Sequence, residues 1–388
     1  MEYFFELRYT ISRDNFGAEV MFMIKVALTN DIMKKILLIE ENRFSLSTIE
    51  LAPMTRNRLR KNSKKKSSYA SNKIEGNPLT EEQADEAIER DEHKHFLKPE
   101  QEIRNYFLAL NLLEEKLKRK ETFSKEMILE VQAMVEKGAS KEKIGLRGPM
   151  PPGMLFAVYD AATGASDYIP PEYSEIPELL DELVNYVNTT DDHPLIIAAI
   201  VHYQLVTLHP FEDGNGRTAR LMSGYILDFY GYGFNGIGSL EEYFAYDSDE
   251  YYESLQMGLP VLYYSGRENP PHPEIWVNYF LSMVELYSKN VCEMSKGVQE
   301  DDLDGSLSYL NSKEKDLLVF LLKKRMLEFT PIDVSKMIGV TNKTIINRCA
   351  KLTNNGFLVP NIVSQRIRSY SLSDFAKRNE KKILSKIG

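Results

Sequence analysis

Twelve consecutive residues, His209-Pro210-Phe211-Glu212-Asp213-Gly214-Asn215-Gly216-Arg217-Thr218-Ala219-Arg220, bring together the groups needed to handle a nucleotide polyphosphate. Gly214 and Gly216 can take backbone angles that a side chain forbids, so the amides around Asn215 can turn toward an anion. Arg217 then opens a helix, whose free N–H groups and positive dipole end favour phosphate. Arg217 and Arg220 stand three apart, and the spacing predicts one shared helix face from which they clamp different phosphate oxygens. Asp213 offers the hard oxygen that Mg²⁺ takes when it bridges phosphates. His209, just ahead of the turn, is placed to act as general base on an incoming hydroxyl. Taken singly, a Gly-x-Gly turn, a histidine and two arginines read as a loop, a packed ring and a solvated face. No stability argument asks for all of them in one short loop.

Such residues need rigid neighbours. Pro194 opens the run 195–201, which is apolar on all sides, so it reads as a buried central helix carrying His209 at its far end. His202 on that helix reads as a packed ring: it lies seven residues from His209, too far to share an ion, and no third ligand is in view. After the turn, 218–229 continues as a helix with Leu221, Ile226 and Leu227 facing inward. Amphipathic stripes over 29–42, 100–118, 175–188 and 276–287 predict further helical layers. The segment 145–149 breaks this pattern, and 154–159 reads as a short strand that turns at 160–164 and returns through 167–169. Gly76, Asn77 and Pro78 end one helix, and Thr80 with Gln83 forms a capping box for the next. The basic run 56–66 leads into that junction and reads as a solvated helix face. The paired Tyr251 and Tyr252 suit either a purine face or the core.

The twelve-residue stretch resembles the signature of the Fic (filamentation induced by cAMP) family, H-x-F-x-[D/E]-G-N-G-R-x-x-R, at every specified position. The resemblance implies a helical domain that transfers AMP from ATP to a Ser, Thr or Tyr hydroxyl of a target protein, this chain included, and releases pyrophosphate. His209 would take the hydroxyl proton and Asp213 would hold Mg²⁺. Gly214, Asn215 and Gly216 would cradle the inner phosphates, Arg217 and Arg220 would grip the outer ones, and Phe211 would fix the loop. Ser71-x-x-x-Glu75-Gly76 is similar to the family's inhibitory motif, which implies that Glu75 enters the ATP site and pairs with Arg220 within the same chain. The hairpin, with Leu155 and Phe156, resembles the family's flap, which aligns the target backbone. Tyr251 and Tyr252 resemble a segment lining the adenine pocket, although Leu259 stands where the family often has asparagine.

At 388 residues the chain has room for two or three domains. Its two cysteines exclude a disulfide framework, and no apolar run is long enough to span a membrane, which together suggest a cytoplasmic protein. The net charge of −9 argues against wholesale nucleic-acid binding, but it is unevenly spread. Over 306–388 there are 16 Lys or Arg and 6 Asp or Glu, a net of +10, which leaves (48 − 16) − (57 − 6) = −19 for the remainder. Helical stretches at 313–324, 331–338 and 343–353, then strand-like runs at 357–359 and 366–372, resemble a winged helix-turn-helix. That resemblance puts Thr341, Asn342, Lys343, Asn347 and Arg348 in a DNA major groove, with Arg366 and Arg368 on phosphate.

The expected architecture is mainly α: a Fic-type helical domain with a small β-hairpin flap, plus a C-terminal winged-helix domain. Its expected boundaries are an N-terminal helical segment 1–98 with the inhibitory motif at 71–76, a catalytic domain 99–298 and a winged helix 306–388, joined by an acidic linker at 299–305. The expected function is an autoinhibited protein adenylyltransferase using ATP and Mg²⁺. Two alternatives stand beside it: removal of AMP by the same site, and a DNA-binding regulator whose Fic domain senses nucleotide.

Overall fold

The computed structural model describes residues 26–49, 51, 53–90, 95–140, 144–154, 156–159, 166–259, 270–363 and 366–388. It is mostly helical, and it divides into two compact units, Met1–Arg43 with Asn62–Lys289 and Phe44–Lys61 with Asn290–Gly388.

The first unit is built around two helices. Residues 195–205, apolar apart from His202 and Gln204, are all buried in α7 (Pro194–Leu208). Earlier in the chain come α1 (Asn30–Ser47), α2 (Pro53–Ile74), α3 (Glu81–Glu89), α4 (Lys98–Lys118), α5 (Lys125–Glu136) and α6 (Ile176–Thr189). A proline at its start and the His193 ring, which accepts from Leu195 N, set where α7 begins. Its partner α8 (Asn215–Phe229) leaves the turn after His209 and is buried from Arg217 through Ser223. Beyond it lie α9 (Glu241–Tyr246), α10 (Ser248–Gln256) and α11 (Pro273–Ser308). Trp276 of α11 donates its indole N–H to Ala199 O of α7 at 2.8 Å, and its ring packs with His202, Tyr251 and Phe280.

The capping box at Thr80 forms as expected: Thr80 Oγ1 accepts from Gln83 N, and Gln83 Oε1 accepts from Thr80 N. The basic run behaves differently from a solvated face. Lys64 pairs with Glu114 of α4, Lys65 with Asp85 and Glu89 of α3, and Lys66 with Glu242 of α9. Three consecutive lysines on a helix point in different directions, so each finds a separate acidic neighbour, and together they hold α2 in place.

The expected strand over 154–159 shortens to β1 (Val158–Tyr159), which pairs antiparallel with β2 (Ser166–Tyr168). Leu155 lies outside the described residues.

In the second unit the expected linker at 299–305 is helical, the last part of α11, because Leu303 and Leu307 are buried in that unit's core. There follow α12 (Ser312–Lys323), β3 (Glu328–Phe329), α13 (Pro331–Ile338), α14 (Asn342–Asn354), β4 (Leu358–Val363), β5 (Arg366–Leu372), α15 (Asp374–Arg378) and α16 (Glu380–Ile387). The strands form one antiparallel sheet in the order β3-β5-β4. Among the described residues no helix is long and apolar enough to cross a membrane.

Candidate active site

His209 caps α7 in the left-handed conformation, φ 45 and ψ 56, a geometry that disfavours any residue with a Cβ. Arg147 supplies the holding contacts. Its backbone N donates to Pro210 O at 3.0 Å and its Nε to His209 O at 2.9 Å, and its far end donates to Pro171 O. The guanidinium also lies 4.6 Å from the centre of the Phe156 ring, which faces the His209 ring at 5.9 Å. Arg147 is buried, so a single cation ties His209, Pro171 and the Phe156 ring ahead of β1 together.

The His209 ring has Nδ1 3.1 Å from Tyr168 Oη and 3.3 Å from Val206 O. Burial lowers its pKa to about 4, with Arg147 adding to the depression, while the Val206 carbonyl, Glu75 and Asp213 oppose it. The imidazole is therefore neutral at physiological pH, the form a general base needs.

Below the turn the loop is locked from inside. Phe211 is buried, and the Asn215 side chain both accepts from Phe211 N at 3.0 Å and donates to Phe211 O at 2.9 Å. The Asn215 side chain is thus committed to the loop, which leaves its backbone N–H as its offering to an anion. Gly214 starts α8 at φ +79, and a Cβ there would meet Glu136 Oε1 at 2.7 Å, so both conformation and space require glycine. Asp213, partly exposed, accepts from Gly214 N at 2.8 Å and from Arg217 at 3.3 Å.

The two arginines do not share a task. Arg217 turns to α5, where it donates to Glu136 Oε1 at 2.9 Å, with Glu102 4.0 Å away. Both members of that pair are buried, and burial pushes the Glu136 carboxyl up despite the opposing Arg217 charge. Arg220 turns to the end of α2: Nε donates to Ser71 Oγ at 2.8 Å, and Nη2 donates to Ser71 O at 3.0 Å and to Glu75 Oε1 at 2.6 Å. In this structure the two guanidiniums are taken by carboxylates from different parts of the chain, Glu136 of α5 and Glu75 just after α2.

Glu75 also reaches the helix start. A Cβ built on Gly216 would collide with Glu75 Oε1, so the carboxylate rests directly against the first turn of α8. An acid therefore occupies the anion-attracting end of that helix. Tyr251 is turned into the core. It is buried, and its hydroxyl lies 2.8 Å from His202 Nε2 and 3.4 Å from Arg220 Nη1. Tyr252 is exposed and touches the Tyr251 ring edge-on at 5.0 Å. His202 is fully buried between Tyr251 and Ser223, a packed ring as expected.

A family model described as the Fic/DOC family matches residues 122–227, which include the turn, both arginines and His209. The chain carries a Fic domain. Curated relatives named protein adenylyltransferase Fic match part of it. The one from Drosophila mojavensis is 30% identical over 206 residues, 50% of this chain and 38% of the relative. The one from Nematostella vectensis is 42% identical over 65 residues, 16% of this chain and 15% of the relative. The chain thus spans well under half the length of these relatives. Among solved structures, a Fic family protein from Desulfovibrio desulfuricans G20 superposes with a TM-score of 0.54 at 19% identity, covering 91% of this chain and 99% of that one. Fic-1 from C. elegans gives 0.53 at 24% identity, covering 69% and 73%. These likenesses show the Fic fold.

Several residues around the Fic signature gave no sequence signal of their role. Arg147, Glu136 and Tyr168 act through contacts 62, 81 and 41 positions away in the chain. Only the glycines beside Arg147 hinted at a break in helical structure.

Proposed function

We propose that this protein is an autoinhibited adenylyltransferase that moves AMP from ATP to a hydroxyl side chain of a target protein. The observation that carries this reading is the Glu75 carboxylate. It pairs with Arg220 and lies against the glycine turn of α8, a few residues from a neutral histidine. A chain that fills its own anion site with a carboxylate is held off by it. Departure of Glu75 would expose Arg220 and the amides of Gly216 and Arg217 to a phosphate chain.

In the open state, the backbone at 214–217 and Arg220 hold the triphosphate, and Phe156 and the hairpin lay the target segment beside His209. His209 then takes the hydroxyl proton as the oxygen attacks the α-phosphorus and pyrophosphate leaves. Asp213, a partly exposed carboxylate, would hold a Mg²⁺ brought by the nucleotide, and such an ion would supply charge neutralisation between the phosphates. The test is mass spectrometry for AMP adducts after the Glu75→Gly protein is incubated with ATP, Mg²⁺ and a lysate. Adducts that vanish with His209→Ala support the reading, and their absence from Glu75→Gly refutes it.

We further propose that the second unit binds DNA through α14 and the β4–β5 hairpin. No acidic residue occurs from 334 to 373. Among the described residues, Lys336, Lys343, Arg348, Lys351, Arg366 and Arg368 have no carboxylate partner. Thr341, Asn342, Lys343 and Asn347 are exposed at the start of α14, and Lys313, Arg348 and Lys351, with one carboxylate, Glu314, line an open groove beside it. Unpaired cations in an acid-free stretch of an acidic protein are the chemistry that a phosphate backbone selects.

A further inference from the structure

We propose that Tyr168 is a positioning residue that fixes the His209 ring in the tautomer with hydrogen on Nδ1, which leaves the Nε2 lone pair as the base. The inference rests on the adenylyltransferase reading only for its consequence to rate; the tautomer itself follows from the contacts. Tyr168 is the last residue of β2, and its hydroxyl reaches the end of α7.

Tyr168 has one hydroxyl hydrogen, and it is donated to Val206 O at 2.5 Å. Its oxygen keeps lone pairs only, and these face His209 Nδ1 at 3.1 Å. The other neighbour of Nδ1 is the same Val206 carbonyl, at 3.3 Å. Both groups beside Nδ1 therefore accept and neither donates, so the neutral ring gains a hydrogen bond by carrying its proton there. The opposite tautomer would require the tyrosine to swing its hydrogen off the carbonyl, which leaves a carbonyl in the last turn of α7 unpaired. With the tyrosine gone, the Val206 carbonyl at 3.3 Å is the one acceptor left at Nδ1 among the described residues, a weaker hold that lets part of the population take the other tautomer.

The consequence is directional. The charged groups acting on the ring are Arg147, Glu75 and Asp213, and Arg147 binds its backbone. Among the described residues none of them hydrogen-bonds either ring nitrogen, so tautomer choice falls to Tyr168 and Val206. Tyr168 acts through His209.

The test uses the full chain with ¹⁵N-labelled histidine, and His209→Ala identifies the His209 resonances. Long-range ¹H–¹⁵N spectra at neutral pH should report a protonated Nδ1 in the wild type and a mixture of tautomers in Tyr168→Phe, which keeps the ring and its packing. A wild-type spectrum with hydrogen on Nε2, or unchanged populations in Tyr168→Phe, overturns the proposal. In the Glu75→Gly background, Tyr168→Phe should lower kcat roughly ten-fold while KM for ATP stays within about two-fold. A purely structural tyrosine would leave kcat and the spectra unchanged. Absence of AMP transfer in every variant would count against the adenylyltransferase reading, and the spectra would still decide the tautomer.

Discussion

Replacing Glu75 with glycine should convert a silent protein into an active one, and the structure sets the size of the change. The Glu75 carboxylate is one-third exposed and bonds a buried guanidinium at 2.6 Å. A charge-assisted hydrogen bond of this kind contributes about 1.5–3 kcal/mol, and partial solvent screening favours the lower part of that range. A nucleotide that must displace the carboxylate faces that penalty, so its removal should tighten productive ATP binding roughly ten- to thirty-fold. AMP incorporation should rise by a similar factor at ATP concentrations below saturation. The substitution also strips the carboxylate from Arg220, which among the described residues keeps Ser71 and Tyr251 as hydrogen-bond partners. The variant should therefore melt earlier than wild type without nucleotide and regain stability when ATP and Mg²⁺ are added, while the wild type shifts little. Titration calorimetry and thermal shift measure the binding, and radiolabelled AMP measures the transfer. Equal ATP affinity and equal AMP incorporation in the two proteins would refute the argument that Glu75 competes for the phosphate site.

Removing the base by His209→Ala should abolish transfer and leave ATP binding within about two-fold, read by activity and calorimetry in the Glu75→Gly background. Because burial lowers the folded His209 pKa from 6.5 to about 4, the unfolded chain binds more protons between these values. Stability present above pH 6.5 should thus be lost as pH falls toward 4, and His209→Ala should flatten that slope in pH-dependent melting. Glu136→Ala leaves the buried Arg217 with Asp213 at 3.3 Å and Glu102 at 4.0 Å, and loss of the charge-assisted hydrogen bond should cost about 1.5–3 kcal/mol in chemical denaturation. Lys343→Ala with Arg348→Ala should weaken binding to a DNA duplex and reduce the slope of log affinity against log salt by about two, and gel shift at several salt concentrations checks it.

How much of this could be read in advance depends on the range of the interaction. The helix starts at Pro194 and Thr80, the buried character of α7 and the glycine turn before α8 are local, and composition plus spacing determined them. So did the nature of the site, because His209, Asp213, Gly214, Gly216 and Arg220 stand within one turn of chain and its following helix. Tertiary structure alone decided the partners. Arg217 and Arg220 look equivalent by spacing, yet Glu136 of α5 takes one and Glu75 at the end of α2 takes the other. Tyr251 and Tyr252 are adjacent letters, and the packing of α7 and α11 around His202 buried the first and left the second outside. Spacing along a helix fixes the direction in which a side chain leaves the backbone, but the charge or ring it meets there belongs to a distant segment, brought in by the burial of other residues.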